Sequence, residues 1–155
     1  MTLRAGQDYF TCEYCGNIAV PELNSDGVRV LDEAANEQCP DCAVALVHAA
    51  IDGERILYCS RCGGMLVDMD VFATLVQDLR SRRDGAIERF VPPDPAALRR
   101  RVPCPRCAQQ MDTHVYEAGG NVVMSDCERC QLDWIPRGGL DRIVRAPDYT
   151  YGAQP

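Results

Sequence analysis

Cys39-Pro40-Asp41-Cys42, followed after sixteen residues by Cys59-Ser60-Arg61-Cys62-Gly63-Gly64, is the stretch that organises the chain. A Cys-x-x-Cys turn presents two sulfurs to one metal at about 2.3 Å, and a structural zinc ion takes four such donors in a tetrahedron. The residues between the two turns suffice for a β-hairpin that carries the second pair back to the first. Residues 45–51 and 56–58 alternate or run apolar like its two strands, and Asp52-Gly53 supplies the turn. Gly63-Gly64 follows the second pair, where backbone amides turn toward sulfur and a side chain would obstruct them.

The pattern recurs. Cys104-Pro105-Arg106-Cys107 is followed after nineteen residues by Cys127-Glu128-Arg129-Cys130. Strands are expected from Asp112 to Tyr116 and from Val122 to Ser125, with Ala118-Gly119-Gly120-Asn121 as the turn. Trp134 falls four residues after Cys130 and Leu66 four after Cys62, so the repeat continues beyond the cysteines. Past the first unit, Val71, Phe72, Leu75, Val76 and Leu79 recur at helical spacing behind Asp68 or Asp70 as cap; past the second, Leu140, Ile143 and Val144 predict a shorter helix. The expected fold class is a small metal-stabilised α+β arrangement of tandem zinc ribbons, each a β-hairpin with two Cys-x-x-Cys knuckles followed by a short helix.

Around these units the chain divides into an N-terminal half-ribbon over 1–38, the first ribbon and helix over 39–80, an Arg-rich linker over 81–103, the second ribbon and helix over 104–145, and a flexible tail over 146–155. The first segment holds a fifth pair, Cys12 and Cys15, and two short strands around Ile18, Val20, Val28 and Val30 flanking an Asn24-Ser25-Asp26-Gly27 turn. Residues 32–38 are polar and read as a solvated loop. In the linker, Asp94-Pro95 begins a helix of two turns over 95–101.

A unit of about forty residues buries little, and such a core rarely supplies more than about 3–5 kcal/mol. Structural zinc contributes an apparent ~10–16 kcal/mol in peptides of this size, so the metal is expected to decide folding. The 155-residue chain has ten cysteines, all in pairs of this one spacing, which favours zinc over five disulfides. Residues 1–8 lack a basic start with an apolar run behind it, and no eighteen apolar residues run together. A cytoplasmic, non-membrane protein is expected.

The formal charge is −7, every basic residue is arginine, and the distribution is uneven: residues 80–106 carry +5 while the flanking segments are acidic. Arg99, Arg100 and Arg101 are the candidate nucleic-acid contacts. An acidic body repels phosphate, however, and only Phe90 interleaves with the arginines, a poor stacking surface.

Both units resemble the transcription factor IIB-like zinc-ribbon family. Its pattern runs from a Cys-Pro-x-Cys knuckle, through Leu or Met and a hairpin, to a second knuckle and a Trp-Leu-Asp-x-Gly-Glu-Leu segment. Cys39 to Cys42, Leu46, Cys59 to Gly64 and Leu66-Val67-Asp68 carry the likeness in the first unit; Cys104 to Cys107, Met111, Cys127 to Cys130 and Trp134 to Leu140 carry it in the second. Leu66 stands where the family has tryptophan, and Pro136 and Gly139 where it has Asp and Glu. The resemblance implies zinc binding, and it implies no particular activity.

The ligand sets are therefore Cys39, Cys42, Cys59 and Cys62 for one Zn2+ and Cys104, Cys107, Cys127 and Cys130 for a second. Cys12 and Cys15 offer half of a third site, to be completed by a second copy in a homodimer, by His48 or His114, or by nothing, which would leave a redox-active pair. No catalytic set stands out. The expected function is a structural zinc-binding protein that presents tandem ribbons to a protein partner; the alternatives are a nucleic-acid-binding or transcription-associated factor and a redox or zinc-sensing switch at Cys12/Cys15.

Overall fold

The computed structural model describes residues 2–3, 9–83, 92–117 and 119–146. The element order is β1 (Thr2–Leu3), β2 (Phe10–Thr11), β3 (Ile18–Ala19), β4 (Arg29–Gln38), β5 (Ala45–Ile51), β6 (Glu54–Tyr58), β7 (Met65–Asp68), α1 (Met69–Ser81), α2 (Pro95–Leu98), β8 (Asp112–Val115), β9 (Val123–Cys127), β10 (Leu132–Ile135) and α3 (Gly139–Arg145).

Each ribbon is a three-stranded antiparallel meander. In the first, Asp52 (φ 49°) and Gly53 (φ 77°) are both left-handed, the backbone a two-residue hairpin needs to match strand twist, and they pair Ile51 with Glu54. The third strand, β7, is four residues long and runs straight into α1; its counterpart in the second ribbon is β10. These two strands pair with each other antiparallel. The whole becomes one seven-stranded sheet in the order β4-β5-β6-β7-β10-β9-β8.

The register of that seam has two-fold symmetry. Leu66 lies opposite Trp134, its repeat equivalent, while Met65 faces Ile135 and Val67 faces Asp133. Residues alternate faces along a strand, so Met65, Val67 and Ile135 point to one side, and Leu66, Leu132 and Trp134 to the other. On the first side α1 and α3 cover a core containing Tyr58, Phe72, Leu75, Val122, Met124, Leu140 and Ile143, drawn from both ribbons. On the second side Leu46, Leu66, Val102, Met111, Leu132 and Trp134 pack with Cys39, Cys59, Cys104 and Cys127. Two units too small for separate interiors thus pool their apolar residues, and metal is joined by a shared core.

In α1, Phe72, Leu75 and Val76 are the buried stripe, and Asp68 occupies the cap position without a side-chain cap bond. In α3, Leu140 and Ile143 are buried. Helix α2 is shorter than its sequence predicts, a single turn in which Asp94 accepts a hydrogen bond from the Ala96 amide at 3.0 Å.

Two expectations are corrected. Residues 32–38 are not a loop; they form the outer part of β4, paired with β5 through register shifts between Val30, Ala34 and Gln38. As the sheet's terminal strand β4 needs no apolar outer face, and polar residues there block further pairing. Nor do Ile18–Val20 and Val28–Val30 pair with one another. The Asn24 to Gly27 turn forms, with Asn24 Oδ1 accepting from the amides of Asp26 and Val28 at 2.9 Å each, but β3 pairs with β2 in a separate small sheet while β4 joins the large one. That turn also docks on both ribbons: the Tyr58 hydroxyl donates to Asp26 at 2.8 Å, and Arg137 reaches the same carboxylate at 3.4 Å. The expected tail from 147 to 155 and Phe90 lie outside the described residues.

Candidate metal centres

The knuckles share one backbone. At Cys39 the amide donates to the Val44 carbonyl (2.8 Å), the Ala43 amide returns to the Cys39 carbonyl (2.9 Å), and Ala43 is left-handed at φ 57°. Cys59 repeats this with Gly64 (2.9 Å) and with Gly63 (2.8 Å, φ 77°), and Cys104 with Gln109 (2.7 Å) and with Ala108 (2.9 Å, φ 63°). In the fourth knuckle Cys127 pairs with Leu132, and Gln131 is left-handed at φ 56°. The bend aims amides at sulfur: Cys39 Sγ accepts from the Cys42 amide at 3.3 Å, and Cys62 Sγ from the Gly64 amide at 3.4 Å. Such bonds favour the thiolate, the form that binds metal.

Sequence-distant knuckles then converge. The four sulfurs of Cys39, Cys42, Cys59 and Cys62 lie within 4.8 Å of one another, as do those of Cys104, Cys107, Cys127 and Cys130. Cys39 and Cys62 Sγ are 3.7 Å apart, and so are Cys107 and Cys127 Sγ. A tetrahedron with zinc–sulfur bonds of about 2.3 Å has an edge of about 3.8 Å. The separations thus fit zinc, whereas a disulfide needs about 2.05 Å, and none of the ten cysteines is in one. In each knuckle the first cysteine is buried and the second half-buried, which places the metals just under the surface. Each cluster holds one Zn2+, making two per chain.

Metal-free, these thiols hold their protons unevenly. Burial pushes Cys39 and Cys130 up to about 12, whereas the Gln109 amide holds Cys107 down at about 7. A dication displaces those protons, so zinc binding is coupled to proton release.

Neither histidine joins a cysteine. His48 sits in β5 with Nδ1 buried and without a partner among the described residues. His114 Nε2 lies 2.5 Å from Asp126 Oδ1. Despite burial, the Val115 carbonyl and the Asp126 carboxylate raise its proton affinity. Asp112 completes a cluster with this pair. Asp133, across the β9–β10 pairing from Asp126, is only 6% exposed; burial, then the Asp126 charge, pushes its carboxyl up to about 6. His114, Asp126 and Asp133 border a cavity of about 780 Å³ that Met69, Phe72 and Met124 also line. Sequence reading missed it because the Asp112–Asp126–Asp133 row exists only across three strands. The alternation Asp112-x-His114 was its one local signal.

The arginine-rich segment engages the protein itself. Arg100 pairs with Asp41, Arg82 with Asp52 and Arg106 with Glu37. Arg80 and Arg83 donate to the carbonyls of Ala146 and Val144 at the end of α3. No helix among the described residues is long and apolar enough to cross a membrane.

Residues 38–78 match the model of a family described as transcription factor zinc-finger. No curated protein and no solved structure matches the chain. The unit spanning 38–78 is thus a transcription factor IIB-like zinc ribbon, and the second four-cysteine cluster makes it one of a tandem pair.

Proposed function

We propose that this protein is a structural zinc protein whose fused ribbon pair serves as a rigid surface for a protein partner and performs no catalysis itself. The observation that carries this reading is closure of both metal sites. Four sulfurs surround each zinc position, so no coordination position remains to activate water or polarise a substrate.

A nucleic-acid role draws less support. Arg100, the central member of the Arg99–Arg101 triplet, is committed to Asp41, and the formal charge of −7 opposes a phosphate backbone. In-cell crosslinking followed by mass mapping tests the choice. We expect one stoichiometric protein whose crosslinks fall on the ribbon pair and are lost when zinc is removed. Salt-dependent DNA or RNA binding near 0.15 M salt that vanishes on neutralising Arg99, Arg100 and Arg101 would replace this reading with the nucleic-acid one.

A further inference from the structure

The chain contains a fifth knuckle with the backbone of the zinc-binding ones. The Cys12 amide donates to the Asn17 carbonyl at 2.8 Å, the Gly16 amide returns to the Cys12 carbonyl at 2.9 Å, and Gly16 is left-handed at φ 72°. These are the bonds made at Cys39, Cys59 and Cys104. A turn this specific, built between β2 and β3, is half of a metal site.

Among the described residues nothing supplies the other half. Two thiolates leave a tetrahedral zinc ion short of two soft donors. The remaining eight cysteines are consumed by the two closed clusters, and no group of three potential ligands among the described residues includes Cys12 or Cys15. His114 is bonded to Asp126, and His48 lies in a recess with Glu37, Arg55 and Arg106. Every cysteine and histidine of the sequence is thereby placed.

The surroundings of the half-site point to a protein surface. Tyr14 is fully exposed, Ile18 is 62% exposed, Val20 59% and Leu23 57%. Of five large hydrophobic residues exposed among the described residues, these four fall within the twelve residues 12–23 that begin with the knuckle. Exposed large apolar side chains concentrated in one short segment beside a half-built metal turn fit a contact site. A second copy meets both needs at once, because an isologous contact repeats each donor pair and each apolar residue across its axis. The protein already uses this arrangement internally, where two ribbons meet around Leu66 and Trp134.

We infer that Cys12 and Cys15 are half of a four-thiolate zinc site completed by Cys12 and Cys15 of a second copy, so that the protein is a homodimer holding five zinc ions. Native mass spectrometry of the full chain, with a thiol reductant present, tests it. The expected spectrum is a dimer with five zincs, and the Cys12→Ser/Cys15→Ser variant becomes a monomer that keeps two zincs and unchanged Trp134 emission. Should that variant fail to fold, graded chelation of the wild type gives the same information: the exposed shared ion leaves first, and the dimer separates at four zincs with Trp134 emission unaltered. Three zincs in a monomer, or two in a monomer, would overturn the inference. So would a double-serine variant that stays dimeric, which would mean the apolar residues associate without metal, or a dimer that forms only when reductant is withheld, which would mean a disulfide.

Discussion

Replacing Gly64 by alanine probes the seam where the two ribbons meet. A Cβ built at Gly64 would lie 2.4 Å from Cζ2 and 2.7 Å from Cη2 of Trp134, whereas carbon atoms in contact sit about 3.5–4.0 Å apart. The overlap is more than an ångström, and the obstacle is a rigid ring, itself only 4% exposed. The ring cannot swing aside without separating β10 from β7 or opening the apolar layer around Leu46 and Leu132. Overpacking of this kind costs about 1–3 kcal/mol. For a chain of this size each kcal/mol lowers the melting temperature by about 2–4 °C, so a fall of roughly 2–12 °C is expected. Trp134 is the only tryptophan, so its fluorescence reports on the contact directly, and its emission should shift to longer wavelength as the indole meets water. Zinc content should stay unchanged, since the Gly64 amide still reaches Cys62. A Gly64→Ala protein with wild-type emission and melting temperature would refute the docking of Trp134 on Gly64 and, with it, the seam.

Other outcomes follow from the same architecture. Cys59→Ser and Cys127→Ser should each lower bound zinc from two to one at the ribbon sites. Each should also broaden or lower the single unfolding transition rather than melt one ribbon alone, because one core spans both units; two independent transitions by calorimetry would contradict this. Asp133→Asn should stabilise the protein at pH 7.5. Burial raises the Asp133 carboxyl from 3.8 to about 6 in the folded chain, so the folded state binds more protons between those values and its stability declines as pH rises through that window. The variant escapes that penalty at high pH, and its advantage should shrink as pH falls below 6. An advantage that does not change with pH would argue against a buried carboxylate. A strong chelator at neutral pH should unfold the chain, and acid should weaken zinc retention because protons compete for the thiolates; a chelated protein with native far-ultraviolet dichroism would show that the core suffices without metal.

The local features of the fold were legible because local chemistry fixes them. Asp52-Gly53 encodes a hairpin turn, Phe72, Leu75 and Val76 encode one buried helix face, and the cysteine spacings encode both ligand sets. Strands β7 and β10 were hidden for the opposite reason. Four residues such as Met65 to Asp68 carry too short a pattern to read, and only pairing across the seam gives them a structural identity. The same holds for residues 32–38, whose polar composition suits a loop and an outer strand equally well. Leu66 and Trp134 stood at matching repeat positions in the sequence, but that equivalent residues would face each other is a property of register, which one strand alone does not possess.

The seam also limits how this protein can be divided. A fragment ending after α1 would carry β7 as a bare border, with unsatisfied amides and carbonyls along Met65 to Asp68 and with the apolar flank of Leu66 in water. A fragment beginning near residue 92 would offer the matching border of β10 together with an uncovered indole. Separately expressed halves should therefore be sticky and recombine with each other when mixed, making the chain a natural candidate for split-protein complementation.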